Sequence, residues 1–304
     1  MNGVVMRSTG SWYDVRLDDG RNLPCRIRGK IRLEGIKETN PVSVGDRVSV
    51  HLENNEGIID GILDRENVII RQSVKKTGHG HVIAANVDQV MLVATLVKPR
   101  TSNGFIDRFL VAAESFRIPQ ILVFNKKDLL HDHALSKQNE LIDLYTSVGV
   151  NCRSISAIDE DQSEIKNLLR NKITLIAGHS GVGKSTLINK LIPGLQQKTA
   201  EVSGYSEKGT HATTFAEMFE LDETSFIIDT PGIKEFGLVD MTDQELSDYF
   251  PEMRDRRLDC KLGSRCIHIN EPKCAIIDAV RDGEITRSRY ESYLSMIIGE
   301  DNRR

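Results

Sequence analysis

Gly178-His179-Ser180-Gly181-Val182-Gly183-Lys184-Ser185-Thr186 reads G-x-x-x-x-G-K-S. The apolar stretch 173–177 precedes it and a helix-forming stretch, 187–192, follows it. Strand, glycine loop and helix in that order are what a phosphate-binding loop requires. Glycines let successive backbone N–H groups turn inward on an anion, and the helix adds the positive end of its dipole. Lys184 is then the cation for the outer phosphates, and Ser185 is a hydroxyl for Mg²⁺. This loop commits the surrounding chain to an α/β sheet and leaves open which nucleotide, which reaction and which partner.

Working back from the loop, the apolar run 90–97 reads as a strand buried on both faces. Helices are expected at 106–116, 135–148 and 163–171, with strands at 120–124 and 150–154. Strictly alternating elements imply a parallel sheet with right-handed crossovers. Its second strand ends in Asn125-Lys126-Lys127-Asp128, an N-K-x-D sequence at the edge where open α/β sheets bind ligands. A carboxylate at Asp128 accepts from the ring N1–H and exocyclic amine of guanine, a donor pair that adenine lacks. Asn125 can bond the base edge and the phosphate loop, and the Lys126 stem can pack on the ring. Ser156-Ala157, after the next strand, matches the short loop whose amide meets guanine O6.

Beyond the loop, Asp229-Thr230-Pro231-Gly232 matches D-x-x-G. Asp229 is suited to hold Mg²⁺ through water, and the Gly232 amide to sense the γ-phosphate. Between these motifs lies 208–214, where Thr213 or Thr214 is the second Mg²⁺ ligand. A glutamine that orients water often follows D-x-x-G, but Ile233 stands there. His211 is the group within the chain that could orient or deprotonate the attacking water instead. The motifs run fourth, fifth, first, second, third relative to ordinary GTPases. That order describes a circularly permuted GTPase, expected over 87–240, whose second switch runs straight into the segment that follows.

Residues 1–70 contain five short strand-like stretches separated by turn signals such as Asp19-Gly20 and Asn40-Pro41. They suit a small oligonucleotide-binding barrel. In Arg26-Ile27-Arg28-Gly29-Lys30-Ile31-Arg32 every other residue is a cation, so one strand face is wholly basic. It is either a solvated strand face or a track for phosphates. The polar stretch 71–86 reads as a linker.

At the other end, Cys260, Cys266, His268 and Cys274 fall within 15 residues. Three thiolates and an imidazole are the donor set of structural Zn²⁺, and the small segment 241–304 would depend on it to fold. Cys25 and Cys152 read as core residues. The net charge of −4 excludes a globally basic nucleic-acid binder. Residues 252–304 hold 11 basic and 10 acidic side chains, which argues against a zinc-finger DNA reader. The apolar runs are too short to span a bilayer and the start lacks a leader pattern, so a cytoplasmic protein is expected.

Barrel, permuted GTPase and Cys-Cys-His-Cys segment together resemble the ribosome small-subunit-dependent GTPase A (RsgA) family. The resemblance spans the whole chain. It implies a GTP hydrolase of late small-subunit maturation that binds ribosomal RNA and is stimulated by that subunit. One structural zinc, Mg²⁺ with GTP, no membrane and a monomer are expected alongside it. The first switch departs from the family pattern, with Thr210 and Ala212 where Arg and Thr are usual, and the first cysteine spacing is one residue longer. Other readings are a P-loop ATPase or nucleotide kinase, disfavoured by Asp128 and Ser156-Ala157, and a non-enzymatic RNA scaffold that uses GTP only for order.

Overall fold

The computed structural model describes residues 1–27, 41–54, 56–72, 80–158, 161–192, 194–195, 216–230 and 241–299. Alternating apolar and polar residues give β1 (Asn2–Ser8), β2 (Tyr13–Leu17), β3 (Asn22–Ile27), β4 (Arg47–Glu53) and β5 (Glu56–Ile62). They pair in the order β1-β2-β3-β5-β4, and β4 closes back on β1. The β3–β5 pairing is parallel and the others are antiparallel. The alternate residues Val5, Tyr13, Val15, Cys25, Val48, Val50 and Ile59 fill the interior. This is the expected five-stranded barrel.

The stretch read as a linker is partly structured. β7 (Gly80–Ala85) lies within it and pairs antiparallel with β6 (Val68–Gln72). The β-branched run Val68-Ile69-Ile70 supplies one strand, and Val82-Ile83 supplies the partner that an isolated polar reading overlooks. Ile69 and Ala84 are fully buried. The hairpin is fastened to the barrel by a Val44–Ala84 bridge and by the Ser43 hydroxyl, which donates to the Val82 carbonyl at 3.1 Å. Nearby, Arg65 grips the buried Asp46 carboxylate with two bonds of 2.7 and 2.8 Å.

The nucleotide-type domain alternates β8 (Gln89–Ala94), α1 (Asn103–Ser115), β9 (Gln120–Phe124), α2 (Asp132–Ser147), β10 (Asn151–Ser154), α3 (Ser163–Leu169), β11 (Ile173–Ala177) and α4 (Lys184–Leu191). Two further strands follow, β12 (Glu217–Glu220) and β13 (Phe226–Asp229). The sheet order is β10-β9-β8-β11-β13-β12, parallel throughout except for β12. β8 leads outward to β9, whereas its other neighbour β11 leads to the opposite side. The direction of winding thus reverses between β8 and β11, and the crevice beyond their carboxyl ends is where such sheets bind ligands. β12 was not expected from sequence. Its outer edge pairs with β1 of the barrel through Arg7 and Glu217, so eleven strands form one sheet.

The C-terminal region is helical: α5 (Asp243–Leu246), α6 (Pro251–Arg254), α7 (Ala275–Arg281) and α8 (Arg287–Ile297). Thr242 and Glu245 form a reciprocal capping box at α5. Phe250, Met253, Ile276 and Tyr293 share a core with Cys260, Cys266 and Cys274, and Val111 of α1 enters it. Among the described residues no helix is long and apolar enough to cross a membrane.

Candidate functional site

The glycine loop crosses the crevice between β11 and α4. Gly178 has φ +144°, and a Cβ there would stand 2.3 Å from the Val93 carbonyl oxygen. Gly183 has φ +98°, and a Cβ there would stand 2.4 Å from Asn125 Nδ2. Only glycine fits both places. The Lys184 ammonium donates to the Gly178 and His179 carbonyls at 2.7 and 3.0 Å. Burial pushes its pKa down and the nearby Asp229 carboxylate opposes that. Ser185 and Thr186 follow in the first turn of α4. Ser180 is exposed on the loop.

Asn125 knits three loops into one site. Its Nδ2 donates to the Val182 carbonyl at 2.9 Å, and its Oδ1 accepts the Ala157 amide at 3.0 Å. Both polar atoms are thus engaged by protein, and so is the Ala157 amide that sequence suggested for the base. Lys126, in the left-handed region at φ 64°, reaches back so that Nζ donates to Gly181 O at 2.7 Å and to Lys98 O. Burial lowers its pKa and Asp128 opposes this. Lys127 and Asp128 lie in an exposed 3-10 turn, which leaves the Asp128 carboxylate open to a ligand. The Ser156 hydroxyl is buried without a hydrogen-bond partner.

Asp229 ends β13 beside Ile176, two residues before the loop begins. The adjoining Thr230 hydroxyl is also buried without a partner. A carboxylate and hydroxyls around a phosphate crevice form an all-oxygen set that fits Mg²⁺. His211, Thr213, Thr214 and Gly232 lie outside the described residues.

In the C-terminal region the four metal-type ligand atoms lie within 4.8 Å of one another, and all four residues are buried. Cys260 Sγ is 3.6 Å from His268 Nδ1 and 3.8 Å from Cys274 Sγ, and His268 Nδ1 is 3.3 Å from Cys274 Sγ. A tetrahedral zinc has edges of about 3.8 Å between thiolates and about 3.5 Å from thiolate to imidazole nitrogen. The cluster therefore fits that ion. His268 Nε2 faces Ser247 Oγ at 3.3 Å, an outer contact of the sort that fixes a ligand imidazole. Glu271 accepts the Ile267, Ile269 and Asn270 amides, which holds the loop around the ligands.

On the barrel, the Arg26 guanidinium lies 4.0 Å from the Trp12 ring and 3.4 Å from Glu56. The expected basic face thus has a carboxylate beside its first cation. Arg28, Lys30 and Arg32 lie outside the described residues.

Comparison with known proteins agrees with this geometry. The RsgA GTPase family profile matches residues 62–239, and the RsgA N-terminal domain profile matches 2–59. The chain belongs to the RsgA GTPase family. A relative from Christiangramia forsetii, named small ribosomal subunit biogenesis GTPase RsgA, is 50% identical over 99% of this chain and 97% of its own. One of the same name from Bacteroides fragilis is 51% identical over 98% and 96%. The crystal structure of YjeQ from Thermotoga maritima superposes with TM-score 0.79 at 35% identity, covering 100% of this chain and 99% of that one. YloQ, titled a circularly permuted GTPase, superposes with TM-score 0.74 at 28% identity over 100% and 96%.

Family membership makes the chain a GTPase, and two residues of α1 that sequence reasoning missed bear on its site. The Phe105 ring packs against that of His179 in the phosphate loop, 3.8 Å between centroids and tilted by 32°. Two residues on, Asp107 accepts from Tyr145 at 2.9 Å and from Arg289 of α8 at 2.7 Å. One helix therefore touches both the phosphate loop and the C-terminal region. The signal for Phe105 was only its apolar spacing, which any core helix shares.

Proposed function

We propose that this chain is a GTP hydrolase of small ribosomal subunit biogenesis, acting in the cytoplasm as a monomer on the subunit and its ribosomal RNA. The observation that carries the guanine reading is Asn125. By binding Val182 and Ala157 together it holds the phosphate loop, the Asp128 turn and the Ser156 loop in one crevice. The names of the relatives support the ribosomal reading.

In this reading Asp128 accepts two guanine N–H groups and the Lys126 stem lies along the ring. Lys184 turns from the Gly178 and His179 carbonyls to the β- and γ-phosphates. Ser185, Asp229 and either Thr213 or Thr214 hold Mg²⁺, which when bound neutralises charge developing on the phosphates. The Gly232 amide senses the γ-phosphate. His211 orients the attacking water, because Ile233 has no group to do so. Zinc at Cys260, Cys266, His268 and Cys274 is structural, since four protein ligands leave no open position. The boundaries that go with this reading are a barrel at 1–70, the GTPase at 87–240 and the metal region at 241–304.

Asp128→Asn is expected to weaken GTP binding by about 1.5–3 kcal/mol, the worth of hydrogen bonds to a charged group, and to favour xanthine nucleotides. Equilibrium binding of labelled GTP and XTP checks this, and unchanged GTP affinity contradicts the assignment.

The hydrolytic role is tested by phosphate release at saturating small subunits. Wild type should be strongly stimulated. His211→Ala should keep GTP and subunit binding but lose on the order of 10²-fold in stimulated rate. Turnover equal to wild type would remove His211 from the mechanism, and absent stimulation of wild type would remove the ribosomal reading.

Reversing Arg26, Arg28, Lys30 and Arg32 to Glu should weaken subunit binding. The dependence of log affinity on log salt should flatten by roughly one unit for each phosphate that these side chains neutralise. Co-sedimentation across a salt series measures it, and an unchanged slope means that the strand face is merely solvated.

A further inference from the structure

The Ser156–Ala157 peptide unit is gripped at both edges by side chains. Its N–H, on Ala157, donates to Asn125 Oδ1 at 3.0 Å. Its C=O, on Ser156, accepts from Gln162 Nε2 at 3.0 Å. All four residues are buried, so water is a poor substitute for either partner. The start of the loop is tied down as well. The Ile155 amide donates to the Phe124 carbonyl at 2.9 Å, and the Ile155 carbonyl accepts from the Lys127 amide at 3.1 Å. The gripped peptide therefore lies beside the turn that carries Asp128.

The place of Gln162 in the chain does not call for this bond. It is the N-cap residue of α3, where a side chain ordinarily accepts from amides of the first helical turn. The Gln162 side chain makes no such bond and reaches back six residues to Ser156 instead.

A peptide unit offers a donor at one edge and an acceptor at the other. Turned over, Ser156–Ala157 would put its carbonyl where its N–H now stands. The two orientations suit opposite purines. At ring position 6 guanine has a keto oxygen, which needs a donor, whereas adenine has an amine, which needs an acceptor. Turning the unit over would break both side-chain bonds and leave buried backbone groups unpaired. Asn125 secures the donor edge and Gln162 secures the acceptor edge.

We propose that Gln162 is a specificity-determining positioning residue for the base. Through the Ser156 carbonyl it keeps the Ala157 N–H turned toward purine position 6, where guanine O6 joins Asn125 Oδ1 as a second acceptor on that N–H. This rests on the guanine reading of the crevice but concerns another edge of the base. Asp128 reads N1–H and the 2-amine, and Gln162 secures the reading of the 6-keto group.

The test is equilibrium binding of GDP, 6-thio-GDP and ADP to the full chain. In 6-thio-GDP sulfur, a weak acceptor, replaces O6 and the rest of the base is unchanged. Gln162→Met keeps the length of the side chain without a donor, and Gln162→Leu lacks the donor in a different shape. Wild type should bind GDP about two- to tenfold more tightly than 6-thio-GDP, the range of one neutral hydrogen bond. Both variants should bring that ratio close to one. A merely structural role would weaken both nucleotides alike and leave the ratio where it was. A ratio retained in either variant, or a wild type that binds GDP and 6-thio-GDP equally, overturns the proposal. ADP separates the two readings. If wild type binds GDP no more tightly than ADP, the guanine reading itself fails; if it prefers GDP and the variants keep the wild-type ratio, only the role of Gln162 fails.

Discussion

On the proposed zinc reading of Cys260, Cys266, His268 and Cys274, chelation is expected to unfold residues 241–299 while the crevice still binds GDP. Three of the helices there are short, four residues in α5 and in α6 and seven in α7, and α8 has 11. Helices of that length do not persist without tertiary support. Three of the twelve buried members of their core are the clustered cysteines themselves. Structural zinc contributes about 10–16 kcal/mol of apparent binding energy in small domains, and that energy is folding energy. Chelation followed by far-ultraviolet circular dichroism and limited proteolysis measures the loss, and GDP fluorescence measures what survives. Zinc content undiminished in Cys266→Ser would remove that residue from the ligand set.

The second large effect is expected at Arg289. Its guanidinium is 2% exposed and bonds Asp107 at 2.7 Å and Glu252 at 2.7 and 3.2 Å. It also lies 4.7 Å from the Phe250 ring. Burial disfavours its charge, but the two facing carboxylates more than offset this and hold its pKa above the usual value. Burial likewise pushes Asp107 up, against the pull of Arg289. Arg289→Ala leaves these carboxylates without their cation and should cost about 3–5 kcal/mol in urea unfolding. Replacing all three, as Asp107→Leu, Glu252→Leu and Arg289→Met, should recover most of that loss, because no buried charge then remains unpaired. A loss under about 1 kcal/mol in Arg289→Ala, the scale of an exposed pair, would show that the network carries little stability.

What could be read from the sequence was whatever chemistry places in one short stretch. The glycine loop, Asn125 to Asp128 and the cysteine cluster are local patterns, and each lies in its expected context of strand, turn or helix. β12 escaped because Glu217-Met218-Phe219-Glu220 is too short and polar to show a period. It becomes a strand because β13 on one side and β1 on the other supply its partners. β7 was hidden by the glycine and lysine that precede it. Asp107 and Arg289 lie 182 residues apart, and each alone reads as a charge on a solvated helix face. The role of Asn125 was half legible: its motif was plain, but its use of both polar atoms on protein required the loops to be brought together.

That separation bears on how the chain is made. Asp107 is in place early in synthesis, whereas its counter-ion belongs to α8, 182 residues later. Until α8 has been translated, the nascent nucleotide domain carries this carboxylate without the Arg289 cation. The phosphate crevice leans on α1 through Phe105 and His179, so its last adjustment waits for α8 to be made. A prematurely terminated chain would leave the ribosome with its glycine loop intact in sequence but less firmly supported, and would hold nucleotide more loosely than a finished copy.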